Sequence, residues 1–158
     1  MTALLARNGV IDAKAPPSSI AWSAGNATLV VAGDVVDKGP ECVELVDALM
    51  ALQASAAKAG GRVVVTMGNH EAEFIADPSN KKTSKKNGFA TALAAHGVKP
   101  RAVADGLDAR GLWLRNLPIG AAIGSWFFVH AGVAKPTSIA QLSSTIAHDV
   151  DAHGFAAL

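Results

Sequence analysis

The stretch ATLVVAGDVVDKGPE, Ala27 to Glu41, runs from an apolar segment into Gly33 and then sets Asp34, Asp37 and Lys38 close together. An apolar run of this kind, without alternation, suits a strand covered on both faces. From Glu41 to Ala59, Leu45, Leu49 and Leu52 recur with Val46 and Met50 at helical spacing, Pro40 suits the first turn, and Gly60-Gly61 closes the helix. RVVVTMG, Arg62 to Gly68, is again strand-like and again stops at a glycine. Strand, helix, strand is the βαβ pattern, which predicts two parallel strands joined by a right-handed crossover. The fold class expected from it is α/β.

Outward from this unit the pattern thins. Residues Met1 to Val10 read as a short helix with Leu4 and Leu5 inward, and DAKAPPSS follows as a loop because Pro16-Pro17 cannot continue a helix. DPSNKKTSKKNG, Asp77 to Gly88, is polar and basic and reads as a mobile surface loop. A shorter helix, Phe89 to His96, ends at Gly97, and VKPRAVADGLDARG reads as irregular. LPIGAAIGSWFFVHAG, Leu117 to Gly132, predicts two strands turning at Gly124-Ser125. Ser138 to Ala152 is expected to form an amphipathic helix with Ile139, Leu142, Ile146 and Val150 on one side.

Half of the 158 residues are hydrophobic and 17% are charged, below the roughly 25% usual for globular domains, so each charge cluster stands out. The whole chain, 1–158, is expected to be one domain. A net charge of +1 gives no electrostatic case for nucleic acid or an anionic membrane as partner. No apolar run approaches the roughly 18 to 20 residues that span a bilayer. The single cysteine, Cys42, excludes an intrachain disulfide and reads as a core residue compatible with a reducing compartment. A cytoplasmic location is the corresponding expectation.

In open α/β sheets the ligand site lies beyond the carboxyl ends of the strands, where neighbouring loops converge. Three such tips carry polar residues: Gly33-Asp34-Val35-Val36-Asp37-Lys38, Gly68-Asn69-His70-Glu71 and His130-Ala131-Gly132. Taken singly, Asp34 and Asp37 read equally well as helix caps, Asn69 as a turn residue and His130 as a hydrogen-bonded core histidine. Taken together at three strand ends they suggest a metal site. Oxygen with imidazole nitrogen suits Mn, Fe or Zn.

The motifs GDVVDKGP, GNHE and LPIGAAIGSWFFVHAG resemble, in the same order, those of calcineurin-like metallophosphoesterases. The resemblance is to the branch containing the Ser/Thr protein phosphatases and the bacterial diadenosine-tetraphosphate hydrolases, and it runs from about Leu29 to Val133. It implies a layered β-sheet core with flanking helices and metal-dependent hydrolysis of phosphate esters at a dinuclear centre, by a metal-activated water. By the same resemblance Asp34 bridges two divalent ions, Asn69 and His130 bind the second of them, and Asn69 also meets substrate. His70 becomes the general acid and Asp37 the carboxylate that orients it. Lys38 stands where the family usually has arginine, offering phosphate a point charge in place of a two-pronged grip. Glu71 is expected to brace the loop.

Two family motifs are not found. No Asp-x-His-Gly precedes Asp34 and no late Gly-His follows His130, so the expected fold lacks the first strand and the C-terminal strands. By ligand count this chain then holds one metal ion, weakly. Asp151-Ala152-His153-Gly154 spells the first motif, yet residues two apart on a helix diverge and no apolar strand precedes them. His96 and His148 read as solvated helix residues. The readings left open are a phosphoesterase, an inactive fragment or relic binding one metal or phosphate, and half of a split enzyme completed by another chain. Candidate substrates are small phosphomonoesters, dinucleotides and phosphoproteins.

Overall fold

The computed structural model describes residues 1–12, 20–132 and 138–158. The loop expected around Pro16-Pro17 lies largely outside them. Strand β1 (Thr28–Val31), helix α2 (Cys42–Lys58) and strand β2 (Arg62–Val65) follow the short helix α1 (Thr2–Arg7). Strands β1 and β2 pair in parallel, Thr28 opposite Arg62 and Val31 opposite Val65, as the βαβ reading requires. Helix α2 turns Cys42, Val46, Leu49, Leu52 and Ala56 inward, a stripe with the three-to-four spacing of a helix face. Leu45 and Met50 flank it, half-buried. Cys42 is in the core, and burial pushes its thiol pKa up.

The expectation of a strand covered on both faces fails for β1. Leu29, Val30 and Val31 are only half-buried, whereas Val63 to Val65 on β2 are buried. Among the described residues β1 pairs with β2 alone, so it stands at an edge and is covered less. Leu4 is a second correction. It is 65% exposed while Leu5 is buried, because successive helical side chains point about 100° apart and a six-residue helix touches the core along one line.

Beyond β2 come helices α3 (Asn69–Ala76), α4 (Phe89–Ala95), α5 (Pro100–Ala104) and α6 (Ala109–Arg115). Phe74 of α3 and Phe89 of α4 meet edge to face, with ring centroids 4.8 Å apart, near the middle of the core. The segment read as irregular holds α5 and α6. Each is too short to show periodicity, but Pro100 opens the first and Asp108 caps the second by accepting from the Arg110 amide at 2.7 Å. Arg110 in turn pairs with both oxygens of Asp47 on α2, at 2.6 and 2.7 Å.

Residues 77–88 are not a free loop. The Asp77 carboxylate accepts from the Ser79 amide at 2.9 Å, Asn80 accepts from the Lys82 and Thr83 amides, and the Asn80 amide donates to the Glu73 carbonyl at 3.1 Å. Thr83 is fully buried, its hydroxyl accepting from the Ala90 amide. These bonds lay the segment back on α3 and α4, with its lysines outward.

Strands β3 (Gly120–Ile123) and β4 (Trp126–Val129) form the predicted antiparallel hairpin, turning at Gly124-Ser125. The expected layered sheet is divided: among the described residues there are two two-stranded ladders. A bond from the Met67 amide to the Pro118 carbonyl, 2.8 Å, ties the hairpin to the end of β2. Helix α7 (Ile139–His153) forms as predicted, with Ser138 and Gln141 in a reciprocal capping box. None of its residues is buried. Leu142 and Ile146 line one side of a cavity of about 290 Å³ whose other walls include Ile119, Asn69 and His130. Asp151 and His153 are exposed on this helix, as is His148. His96 is half-exposed and lies 3.2 Å from Glu44 on α2.

Candidate functional site

Construction begins with Glu71. It is fully buried on the first turn of α3 and accepts four backbone amides: Asp34 at 2.9 Å, Val35 at 2.7 Å, Val36 at 3.0 Å and Gly68 at 2.8 Å. The bond to Gly68 closes the start of its own helix, and the other three gather the turn after β1. One carboxylate thus joins the two strand ends. Within that turn Asp34, Asp37 and Lys38 have φ of 54°, 62° and 58°, left-handed values that side chains adopt only when their surroundings impose them. Two glycines allow the close approach. A methyl group on Gly68 would fall 2.4 Å from the Asp34 amide, and one on Gly33, itself at φ 73°, would fall 2.8 Å from the Gly68 backbone.

The predicted residues come together. Asp34 Oδ1 lies 3.3 Å from His130 Nε2, and Asn69 Oδ1 also lies 3.3 Å from that nitrogen. His130 Nδ1 lies 2.7 Å from the Ala32 carbonyl. A carbonyl can only accept, so Nδ1 carries a proton, and Nε2 is the nitrogen that faces the two oxygens. His70, almost fully buried, places Nδ1 2.7 Å from Asp37 Oδ2 and Nε2 3.9 Å from Asp34 Oδ2. The second oxygen of Asp37 accepts from the Phe89 amide at 2.7 Å, which fixes the carboxylate from the core side. Lys38 is 65% exposed with its ammonium 3.5 Å from Asp34 Oδ2.

Reading the motifs did not find Glu73. The Asn69 amide nitrogen donates to Glu73 Oε1 at 3.2 Å, and the Lys82 ammonium lies 2.5 Å from the same oxygen. The Lys82 ammonium first, and the Asn69 amide after it, hold the Glu73 carboxyl below the usual carboxylate range. Its signal was the four-residue spacing from Asn69 along a helix. Among the described residues no three His, Cys, Asp or Glu side chains group so as to hold a metal ion. The Asp34, Asn69 and His130 trio takes one of its donors from an amide.

The fold and this site define a class, and comparison with known proteins gives it a name. Residues 11–152 match the calcineurin-like phosphoesterase family, and the chain belongs to that family. It is similar to the symmetrical bis(5'-nucleosyl)-tetraphosphatase of Janthinobacterium sp. (strain Marseille), at 31% identity over 131 residues, covering 83% of this chain and 39% of that protein. A shorter match, 38% identical over 63 residues, covers 40% of this chain and 15% of Shewanella-like protein phosphatase 2 of Arabidopsis thaliana. Among solved structures, the cold-active protein-tyrosine phosphatase of a psychrophilic Shewanella sp. superposes with a TM-score of 0.73 at 23% identity, over 96% of this chain and 45% of that one. With the family match, that likeness bears out the expected α/β metallophosphoesterase-like fold. The chain spans less than half the length of each of these relatives. Among the described residues no helix is long and apolar enough to cross a membrane.

Proposed function

We propose that this chain carries a site for metal-dependent hydrolysis of phosphate esters, with Asp34, Asn69 and His130 as ligands of one divalent cation. The observation that carries the proposal is the convergence of Asp34 Oδ1, Asn69 Oδ1 and His130 Nε2 beside the His70 ring. Two oxygens and one imidazole nitrogen, with the histidine's other nitrogen already satisfied by a carbonyl, fit Mn, Fe or Zn. Bound there, such an ion supplies Lewis acidity, acidifying water and offsetting charge on phosphoryl oxygens. Among the described residues no group of three His, Cys, Asp or Glu side chains offers a second ion a set of its own, so the reading is of one cation.

The chain's own groups supply the rest. As the imidazolium, His70 would give a proton from Nε2 to the departing oxygen, while Asp37 accepts from Nδ1–H, stabilises the charged ring and fixes its orientation. Asp37 is itself held by the Phe89 amide, which fixes its carboxylate beside the His70 ring. Lys38, on an exposed side chain beside Asp34, offers a phosphoryl group a point charge without dictating its angle. The named relatives act on bis(5'-nucleosyl) tetraphosphates and on phosphoproteins, and we extend the same chemical classes to this site together with small phosphomonoesters.

A second reading, a module that binds one cation without turnover, is favoured because among the described residues no three His, Cys, Asp or Glu side chains group so as to hold a metal ion. Titration with Mn²⁺ and an assay with p-nitrophenyl phosphate separate the two, with Asp34→Asn as control. Metal-dependent turnover lost in that variant supports hydrolysis, and binding without turnover selects the second reading. Turnover only after a separate polypeptide is added selects a split enzyme. Neither binding nor turnover would refute them all.

A further inference from the structure

An asparagine amide has two ends of opposite character, and only its oxygen can ligate a cation. Some contact must therefore decide which end faces Asp34 and His130. Within the described residues the Asn69 nitrogen donates to Glu73 Oε1 at 3.2 Å while the oxygen lies 3.3 Å from His130 Nε2. Turning the amide over would set its oxygen against the Glu73 carboxylate, acceptor against acceptor, and its nitrogen toward the cation. We propose that Glu73 is a positioning residue that fixes the Asn69 amide oxygen toward the cation site, and that Lys82 holds Glu73 in place for this purpose. The claim rests on the reading of Asn69 as a ligand.

The sequence arranges this in two ways. Asn69 and Glu73 sit one turn apart on α3, on the same face, so their contact needs no long-range packing. Lys82 arrives from the turn-rich segment 77–88, where Asn80 binds both the Lys82 amide and the Glu73 carbonyl. The ammonium and the Asn69 amide share one carboxylate oxygen. Glu73 is partly exposed and, among the described residues, its carboxylate meets Asn69 and Lys82, so its influence on the cation site passes through Asn69. A purely structural ion pair on the surface would shift the melting temperature slightly and leave the site untouched.

The test uses the full chain as Glu73→Ala, Glu73→Gln and Lys82→Met, with Asn69→Ala for assignment and control. Two quantities are read: the side-chain amide ¹H–¹⁵N resonances of Asn69 without metal, and the Mn²⁺ dissociation constant. Loss of a contact that orients a ligand typically weakens metal binding by about 10- to 100-fold. Glu73→Ala is expected to move the Asn69 resonances and to weaken Mn²⁺ binding by about 10-fold at an unchanged melting temperature. Glu73→Gln keeps an acceptor oxygen and is expected to recover most of the affinity, with Lys82→Met between the two. Unmoved resonances, or Mn²⁺ affinity in Glu73→Ala equal to wild type, would overturn the positioning role. If Asn69→Ala leaves Mn²⁺ binding unchanged, the ligand reading fails instead, and resonances unmoved in Glu73→Ala are then what would sink the orientation claim separately.

Discussion

Glu71→Gln is the substitution whose outcome follows most directly from the geometry. The native carboxylate accepts two amides on each oxygen: Val35 and Val36 on Oε1, Asp34 and Gly68 on Oε2. A glutamine of the same shape keeps one acceptor and places an NH₂ against the other two amides, so two bonds to a charged acceptor are lost and two N–H groups are left facing a donor. At roughly 1.5–3 kcal/mol for each such bond the loss is about 3–6 kcal/mol, a large part of the roughly 5–15 kcal/mol that holds a domain folded. With a urea slope of about 2 kcal/mol per molar, the unfolding midpoint should fall by about 2 M, or the variant should fail to fold. Glu73→Gln, on the partly exposed side of the same helix, should move it by less than about 0.3 M, as surface substitutions do. A Glu71→Gln midpoint within that same margin would show that the carboxylate does not gather the loop.

Two further outcomes are expected. If His70 is the general acid proposed above, Asp37→Asn should lower kcat/KM strongly for an alkyl phosphate, whose leaving oxygen needs a proton, and far less for p-nitrophenyl phosphate, whose leaving group departs without one; equal losses on both substrates would refute the acid role. Leu49→Ala, at a fully buried position of α2, should cost about 2–5 kcal/mol, while Leu4→Ala at an exposed one should stay within about 0.5 kcal/mol, both read from chemical denaturation.

The convergence of the candidate site residues was legible because they sit at strand ends, where an apolar run stops at a glycine and a few polar residues follow. Asp34, Asn69 and His130 could be gathered from three such ends without knowing any side-chain torsion. Glu71 was legible as a brace, though not that it takes four amides at once. What stayed hidden depends on backbone contacts or on short elements. The Ala32 carbonyl that sets the His130 tautomer and the Phe89 amide that fixes Asp37 have no side-chain signature. Helices α5 and α6 are too brief for periodicity to rise above composition. The lysine-rich segment 77–88 concealed a buried threonine, because average polarity says nothing about one hydroxyl turned inward. Leu4 and Leu5 differ only in the angle at which a short helix meets the core.

The turn after β1 has one more consequence. Two of its left-handed residues, Asp34 and Asp37, are held by contacts made inside the protein, to Glu71 and to His70 and Phe89, so an arriving ligand would not spend binding energy on ordering them. The same rigidity is a filter: a ligand of another size or coordination angle would have to break internal bonds to be accommodated, and discrimination would come from what the loop refuses to do.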